Sequence, residues 1–205
     1  MSAATLDAFV LARLCDGIAD DGYAVVHNFL PAPVVAALAL EARRRDAAGE
    51  FCAARVDRGA RRSQRSDIRG DRILWLDERS PASAEVPLWQ AIEALRAALN
   101  QTLYLGLFSF EGHYALYPPG TSYGRHRDQF SDDDARRLSC VWYLNDGWLP
   151  EHGGALRLYV ADGDVHELLP LGGTLACFLA DRFEHEVLSA SRERLAVTGW
   201  FRRRE

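Results

Sequence analysis

From residue 102 to the end, the chain is a succession of short β-type runs broken by turn residues. They are "TLYLGLFSF", "HYALYP", "LSCVWYLN", "ALRLYV", "VHELLP", "GTLACFLA" and "RLAVTGWF". Several short strands at regular spacing argue for a sandwich or jelly roll. Asp162-Gly163 is a hairpin signal, and Gly153-Gly154 and Gly172-Gly173 mark further turns. Upstream the pattern is different. Leu6, Phe9, Val10, Leu14 and Ile18 recur near helical spacing, with Thr5 as N-cap and Gly22 as stop. "YAVVHNFL" reads as a strand, and Pro31 and Pro33 open a second helix, "VVAALALEARRR". "RILWLDE" reads as another strand, and residues 83–100 as a third helix with Pro87 in its first turn. The arginine-rich stretch 55–72 has no periodicity and reads as a mobile loop. The expected fold class is therefore α+β, one domain over 1–205: helical support over 1–100 and the β core over 101–205.

Composition removes several function classes. Every one of the 24 basic residues is arginine, so there is no lysine for a Schiff base or a phosphate loop. A net charge of -5 gives no reason to expect nucleic acid or an anionic membrane as partner. The four cysteines, at 15, 52, 140 and 177, fit neither zinc spacing nor a disulfide framework. The first residues carry charges every few positions and lack a basic leader, and no apolar run is long enough to span a bilayer. A cytoplasmic location is expected.

Within this frame "YGRHRDQF" places His126 and Asp128 two residues apart. If the segment leaves a strand, both side chains share one face and supply two donors of a 2-His-1-carboxylate facial triad, whose open positions suit ferrous iron. The third donor must come from elsewhere: His27, His113, His152, His166 or His185. His185 has the best surroundings, because "EVLSASRE" leads from it to Arg194 at the start of a β run. Arginine holds a carboxylate bidentately and stays charged when buried.

The segments "RHRD", "HEVLSASRERLAVTGWF" and "SDIRGDRILWLDE" resemble the prolyl-hydroxylase family of iron- and 2-oxoglutarate-dependent oxygenases. The likeness is greatest to the animal hydroxylases of hypoxia-inducible factor and their bacterial relatives, and runs from about residue 20 onward. The resemblance implies a double-stranded β-helix (jelly-roll) core with the N-terminal helices packed against it. It implies Fe(II) on His126, Asp128 and His185, and 2-oxoglutarate held by Arg194, Tyr143, Tyr117 and Thr198. It places Tyr123, Trp200 and Arg69 beside the substrate, with Asp71 pairing Arg137 to tie down the 55–72 loop. No acid or base beyond the metal centre is implied. The reaction would consume O2 and 2-oxoglutarate, with ascorbate as a stimulant, and hydroxylate a prolyl residue of a protein. Elongation factor Tu is the substrate suggested by family analogy, and a monomer is expected. Three other readings stay open: nucleic-acid dealkylation, small-molecule hydroxylation, and a non-catalytic β-barrel binding module.

Overall fold

Alternation along the β runs decides the architecture, because each long strand offers one face to helices and the other to a second sheet. In a computed structural model, residues 7–54, 69–129, 134–160 and 163–204 are described. Three helices, α1 (Ala8–Asp20), α2 (Ala32–Ala47) and α3 (Val86–Leu103), interleave with β1 (Tyr23–Val26), β2 (Cys52–Ala53) and β3 (Arg72–Trp75). The remaining strands are β4 (Leu107–Tyr117), β5 (Tyr123–His126), β6 (Arg136–Tyr143), β7 (Leu156–Tyr159), β8 (Val165–Leu168), β9 (Leu175–Leu179), β10 (Glu184–Val187) and β11 (Arg194–Arg203). They form a seven-stranded sheet, β1-β9-β6-β11-β4-β3-β2, and a four-stranded sheet, β5-β10-β7-β8. The two sheets are the walls of a jelly roll, as the sequence pattern and the resemblance both predict.

Two hydrophobic clusters follow the period-two rule of a strand. Tyr114, Leu116, Leu138, Cys140, Trp142, Leu195 and Val197 face the helices, where Leu14, Ile18, Leu38, Ile92 and Leu95 cover them. Their neighbours Ala115, Tyr117, Val141, Tyr143 and Ala196 face the smaller sheet and meet Leu156, Leu158, Phe183 and Val187. The interior between the sheets is therefore built by the residues left over from the helix-covered core. No helix among the described residues is long and apolar enough to cross a membrane.

Local boundaries differ from expectation in instructive ways. Helix α1 is capped by Asp7, whose carboxylate accepts from the Phe9 N–H at 2.9 Å. Thr5, the cap expected from sequence, lies outside the described residues. Pro87 does sit in the first turn of α3, but the helix runs three residues past the expected Asn100, to Leu103. Asn100 instead ties the helix to the next strand, donating to the Leu107 carbonyl and accepting from the Leu107 N–H, both at 2.8 Å. "TLYLGLFSF" is thus divided between helix and strand, and its second part is continuous with "HYALYP" in β4. Strands β7 and β8, on either side of the expected Asp162-Gly163 turn, pair antiparallel with Tyr159 opposite Val165, while Asp162 itself lies outside the described residues. Most of the expected loop, residues 55–68, lies outside the described residues.

Candidate active site

The site face of the large sheet and the inner face of the small one bring together residues far apart in sequence. His126 ends β5, and His185 lies directly opposite it on β10. Asp128 follows two residues after His126 and is buried. Donor atoms of His126, Asp128 and His185 all lie within 4.8 Å of one another. The His126 Nε2–Asp128 Oδ1 distance is 3.6 Å, and His185 Nε2–Asp128 Oδ2 is 3.5 Å. These separations are long for hydrogen bonds but suit donors converging on one ion.

Protonation states fit the same purpose. Burial pushes the His185 imidazole down to about 4, so it is neutral with a free lone pair. Burial by itself would raise the Asp128 carboxyl, yet its two imidazole neighbours, His185 foremost, hold it well below the usual carboxylate range. His126 Nδ1 lies 2.8 Å from the Gly124 carbonyl, which makes Nδ1 the donor and leaves Nε2 as the ligand atom. Ser139 on β6 donates to Asp128 Oδ2 at 2.7 Å and fixes the carboxylate plane. Two imidazoles and one carboxylate on one side of an ion are the donor set of a non-haem ferrous site, so the residues fit that metal.

The same interior between the sheets holds a buried cation. Arg194 opens β11 and is 2% exposed. Its Nε donates to the Gly154 carbonyl at 2.9 Å, and no carboxylate among the described residues pairs with it. Gly154 has φ +71°, and a Cβ there would come 2.8 Å from that of Ala190 and 3.4 Å from Arg194 Cδ, so only glycine brings the carbonyl this close. The rings of Tyr117 and Tyr143 each have their centroid 5.2 Å from the guanidinium carbon. Burial pushes the Tyr143 phenol up to about 12 despite Arg194, and raises Tyr117 further. Both hydroxyls therefore keep their protons at neutral pH. The Tyr143 oxygen is buried and has no hydrogen-bond partner among the described residues. A buried unpaired guanidinium beside an unpartnered phenol is a receptor for an anionic carboxylate. Thr198, on the same face of β11 and opposite Val141 and His113, lines the strand further along.

The outer part of the site is aromatic and charged. Tyr123 stacks on His126 with ring centroids 3.7 Å apart, and the Arg69 guanidinium carbon lies 4.6 Å over Tyr123. Arg69 makes a bidentate pair with buried Asp71 at 2.7 and 2.9 Å. Gly70 between them approaches Thr121 so closely that a Cβ would lie 2.7 Å from the threonine's. The expected Asp71–Arg137 pair is not formed among the described residues, since Arg69 takes that carboxylate. It is Arg136 that reaches the site face, lying 3.6 Å over Trp200 and donating to Glu111 at 2.8 Å. The reason is a bulge. Phe201 pairs with Leu138, but Arg202 pairs with Arg136, so one extra residue on β6 shifts the alternation.

Of the other candidate histidines, His27 bonds Thr174, His166 bonds Tyr23, and His152 accepts from the Leu149 N–H. His113 is near the site, though not in the donor cluster: it is buried, 3.5 Å from Arg69 and edge-on to Trp75 and Trp200. Sequence reasoning missed Ser139, Gly154 and Arg136. Ser139 shares strand parity with Tyr143, a signal that was available; the Gly154 carbonyl and the bulge leave no such trace.

A jelly roll carrying two histidines and a carboxylate beside a buried arginine defines a class, the non-haem iron oxygenases. The model for the "2OG-Fe(II) oxygenase superfamily" matches residues 112–202. A Pseudomonas putida prolyl-4-hydroxylase structure is 49% identical with a TM-score of 0.85, covering 95% of this chain and 100% of that one. A Trichoplax adhaerens prolyl hydroxylase, solved with a hypoxia inducible factor oxygen degradation domain peptide fragment, is 27% identical with a TM-score of 0.86, covering 95% and 89%. Egl nine homolog 1 of Homo sapiens is 33% identical over 144 residues, 66% of this chain and 33% of that protein. The chain thus spans about a third of that curated relative's length. It belongs to the prolyl-hydroxylase family of the 2OG-Fe(II) oxygenases.

Proposed function

We propose that this protein is an Fe(II)- and 2-oxoglutarate-dependent dioxygenase that hydroxylates a prolyl residue in a protein substrate, releasing succinate and CO2. The observation that carries the reading is a buried Arg194, with no carboxylate partner among the described residues, packed on Tyr117 and Tyr143 in the same inter-sheet interior whose Phe178 meets His185 of the donor cluster. A metal site alone would not need it, and a binding module would need neither. The 49% identity to a prolyl-4-hydroxylase favours proline over the alternative substrates.

In this reading His126, Asp128 and His185 hold ferrous iron, which supplies O2 activation coupled to oxidative decarboxylation of 2-oxoglutarate. Arg194 takes the distal carboxylate of the cosubstrate in its guanidinium fork, while Tyr143 donates its phenolic proton to the same group. Tyr117 and Thr198 complete the wall of that pocket. Ser139 keeps the Asp128 carboxylate from rotating. The apolar side chains of Ala115, Val141, Phe178 and Ala196 keep water from the space between the sheets. Tyr123, Trp200, Arg69 and Asp71 border the mouth where the prolyl ring enters, with Arg136 in the place assigned from sequence to Arg137. No residue is required to move a proton from the substrate.

Elongation factor Tu as the substrate rests on family analogy, and ascorbate as a stimulant and a monomeric state go with the same reading. A cytoplasmic location and the division into a helical support over 1–100 and a core over 101–205 rest on the sequence pattern. The test is incubation of the purified protein with iron, 2-oxoglutarate and O2. Succinate release stimulated by a protein substrate, with one oxygen gained on proline by tandem mass spectrometry, supports it. Oxygen on a nucleobase or another side chain overturns the prolyl assignment, and absence of succinate overturns the enzyme.

A further inference from the structure

The strand that carries His126 is weakly held by its own backbone. β5 has four residues and pairs in the small sheet only with β10. Its two register pairs, His126 with His185 and Tyr123 with Val187, are separated by an irregularity. On its other side, among the described residues, it has one bridge, from Tyr123 to Arg69, and just before it the Gly70 N–H donates to the Ser122 carbonyl at 3.0 Å, both at the end remote from His126. An edge strand with a broken ladder does not by itself fix the distance between two imidazoles.

The outer face of the same sheet supplies what the ladder lacks. Side chains next to the two histidines point away from the cavity. Arg125 of β5 donates to Glu184 of β10 at 2.7 Å, and its guanidinium carbon lies over Tyr159 of β7, 3.7 Å from the ring centroid. The Tyr159 hydroxyl donates to Glu186 of β10 at 2.7 Å, and Arg157 of β7 joins Glu186 to Glu167 of β8. Every strand of the sheet is laced on this face, and Arg125 is the link that includes β5.

We infer that Arg125 and Glu184, with Tyr159 beneath, are positioning residues that set the His126–His185 spacing and thereby the affinity of the site for a divalent metal. The inference rests on the proposed metal-binding role of that cluster. The side chains of Arg125 and Glu184 are 52% and 40% exposed, so the ion pair by itself is screened and weak. With the stacked tyrosine it accounts for a change of about fivefold to tenfold in affinity.

The experiment titrates Co(II) into the purified, metal-free full chain and follows both affinity and the ligand-field spectrum, with the melting temperature measured alongside. Arg125→Ala and Glu184→Ala should each weaken Co(II) binding about fivefold to tenfold. The double variant should be little worse than either single, and Arg125→Lys should recover part of the loss. Glu167→Ala is the control: it removes the exposed Arg157–Glu167 pair on β8 and leaves Arg125, Glu184, Tyr159 and Glu186 in place, so it should leave Co(II) affinity unchanged. Unchanged affinity in Arg125→Ala, or an equal loss in Glu167→Ala, overturns the inference. If the unsubstituted protein takes up no Co(II), the metal-site reading itself fails.

Discussion

Arg194→Met makes two opposite demands on the same substitution. In the protein without cosubstrate, Arg194 is a cation 2% exposed with one carbonyl as its hydrogen-bonded partner. Replacing such a group by an apolar side chain of similar length removes an uncompensated buried charge, so the change should be neutral or stabilising. With 2-oxoglutarate bound, the same change leaves a carboxylate facing only the Tyr143 and Tyr117 phenols. Losing one partner of a buried charged pair costs about 2–5 kcal/mol. At about 1.4 kcal/mol per factor of ten, that is a loss of roughly 30-fold to several-thousand-fold in affinity. Anaerobic calorimetric titration of 2-oxoglutarate into the Mn(II)-loaded protein reads the second effect, and thermal melting of the cosubstrate-free protein reads the first. Arg194→Lys should fall between, because an ammonium keeps the charge and loses the fork. Weaker 2-oxoglutarate binding together with an equal or higher melting temperature is the expected signature. An unchanged affinity, or a protein that melts several degrees lower, would show that Arg194 serves the scaffold rather than the cosubstrate.

Three further outcomes follow from the same geometry. Asp128→Ala or His185→Ala should abolish tight binding of a divalent metal, and Ser139→Ala should weaken it about tenfold by freeing the carboxylate; full affinity in Asp128→Ala by titration would exclude the assigned donor set. Burial and the Arg69 charge hold His113 down at about 4, below its unfolded value near 6.5, so the unfolded chain gains a proton first as pH falls. The stabilisation is complete above about 6.5 and is lost toward 4, about 2 kcal/mol of it by pH 5; His113→Gln should lose correspondingly less between pH 7 and 5 in urea titrations, and an identical pH dependence would refute the cause. Arg69→Met leaves the buried Asp71 carboxylate unpaired and should destabilise by about 3 kcal/mol, whereas Arg69→Met with Asp71→Asn should recover much of that; additive losses in the double-variant cycle would count against the pair.

The sequence alone determined the elements whose signal is local. Short β-type runs after residue 102 announced the strands, prolines opened α2 and α3, and His126-Arg127-Asp128 supplied two donors two residues apart, at and just past the end of one strand. His185 and Arg194 were reachable because they stand on consecutive strands, β10 and β11, with a short link between them. What parity could not give was anything that depends on how strands meet. The bulge that pairs Arg202 with Arg136 reverses the alternation near the mouth, and no residue in "DARRLSC" marks it, so Arg137 was assigned where Arg136 stands. The choice of Asp71's partner turned on the same packing: Arg69, two residues away, already fills both carboxylate oxygens. Ser139 on Asp128, the Gly154 carbonyl on Arg194 and the Arg125 link behind His126 join residues 11, 40 and 59 positions apart. Periodicity tells which face a side chain takes, but register between distant strands tells which side chains share it. Register is set by packing the whole sheet, so the donors were legible in the chain and their supports were not.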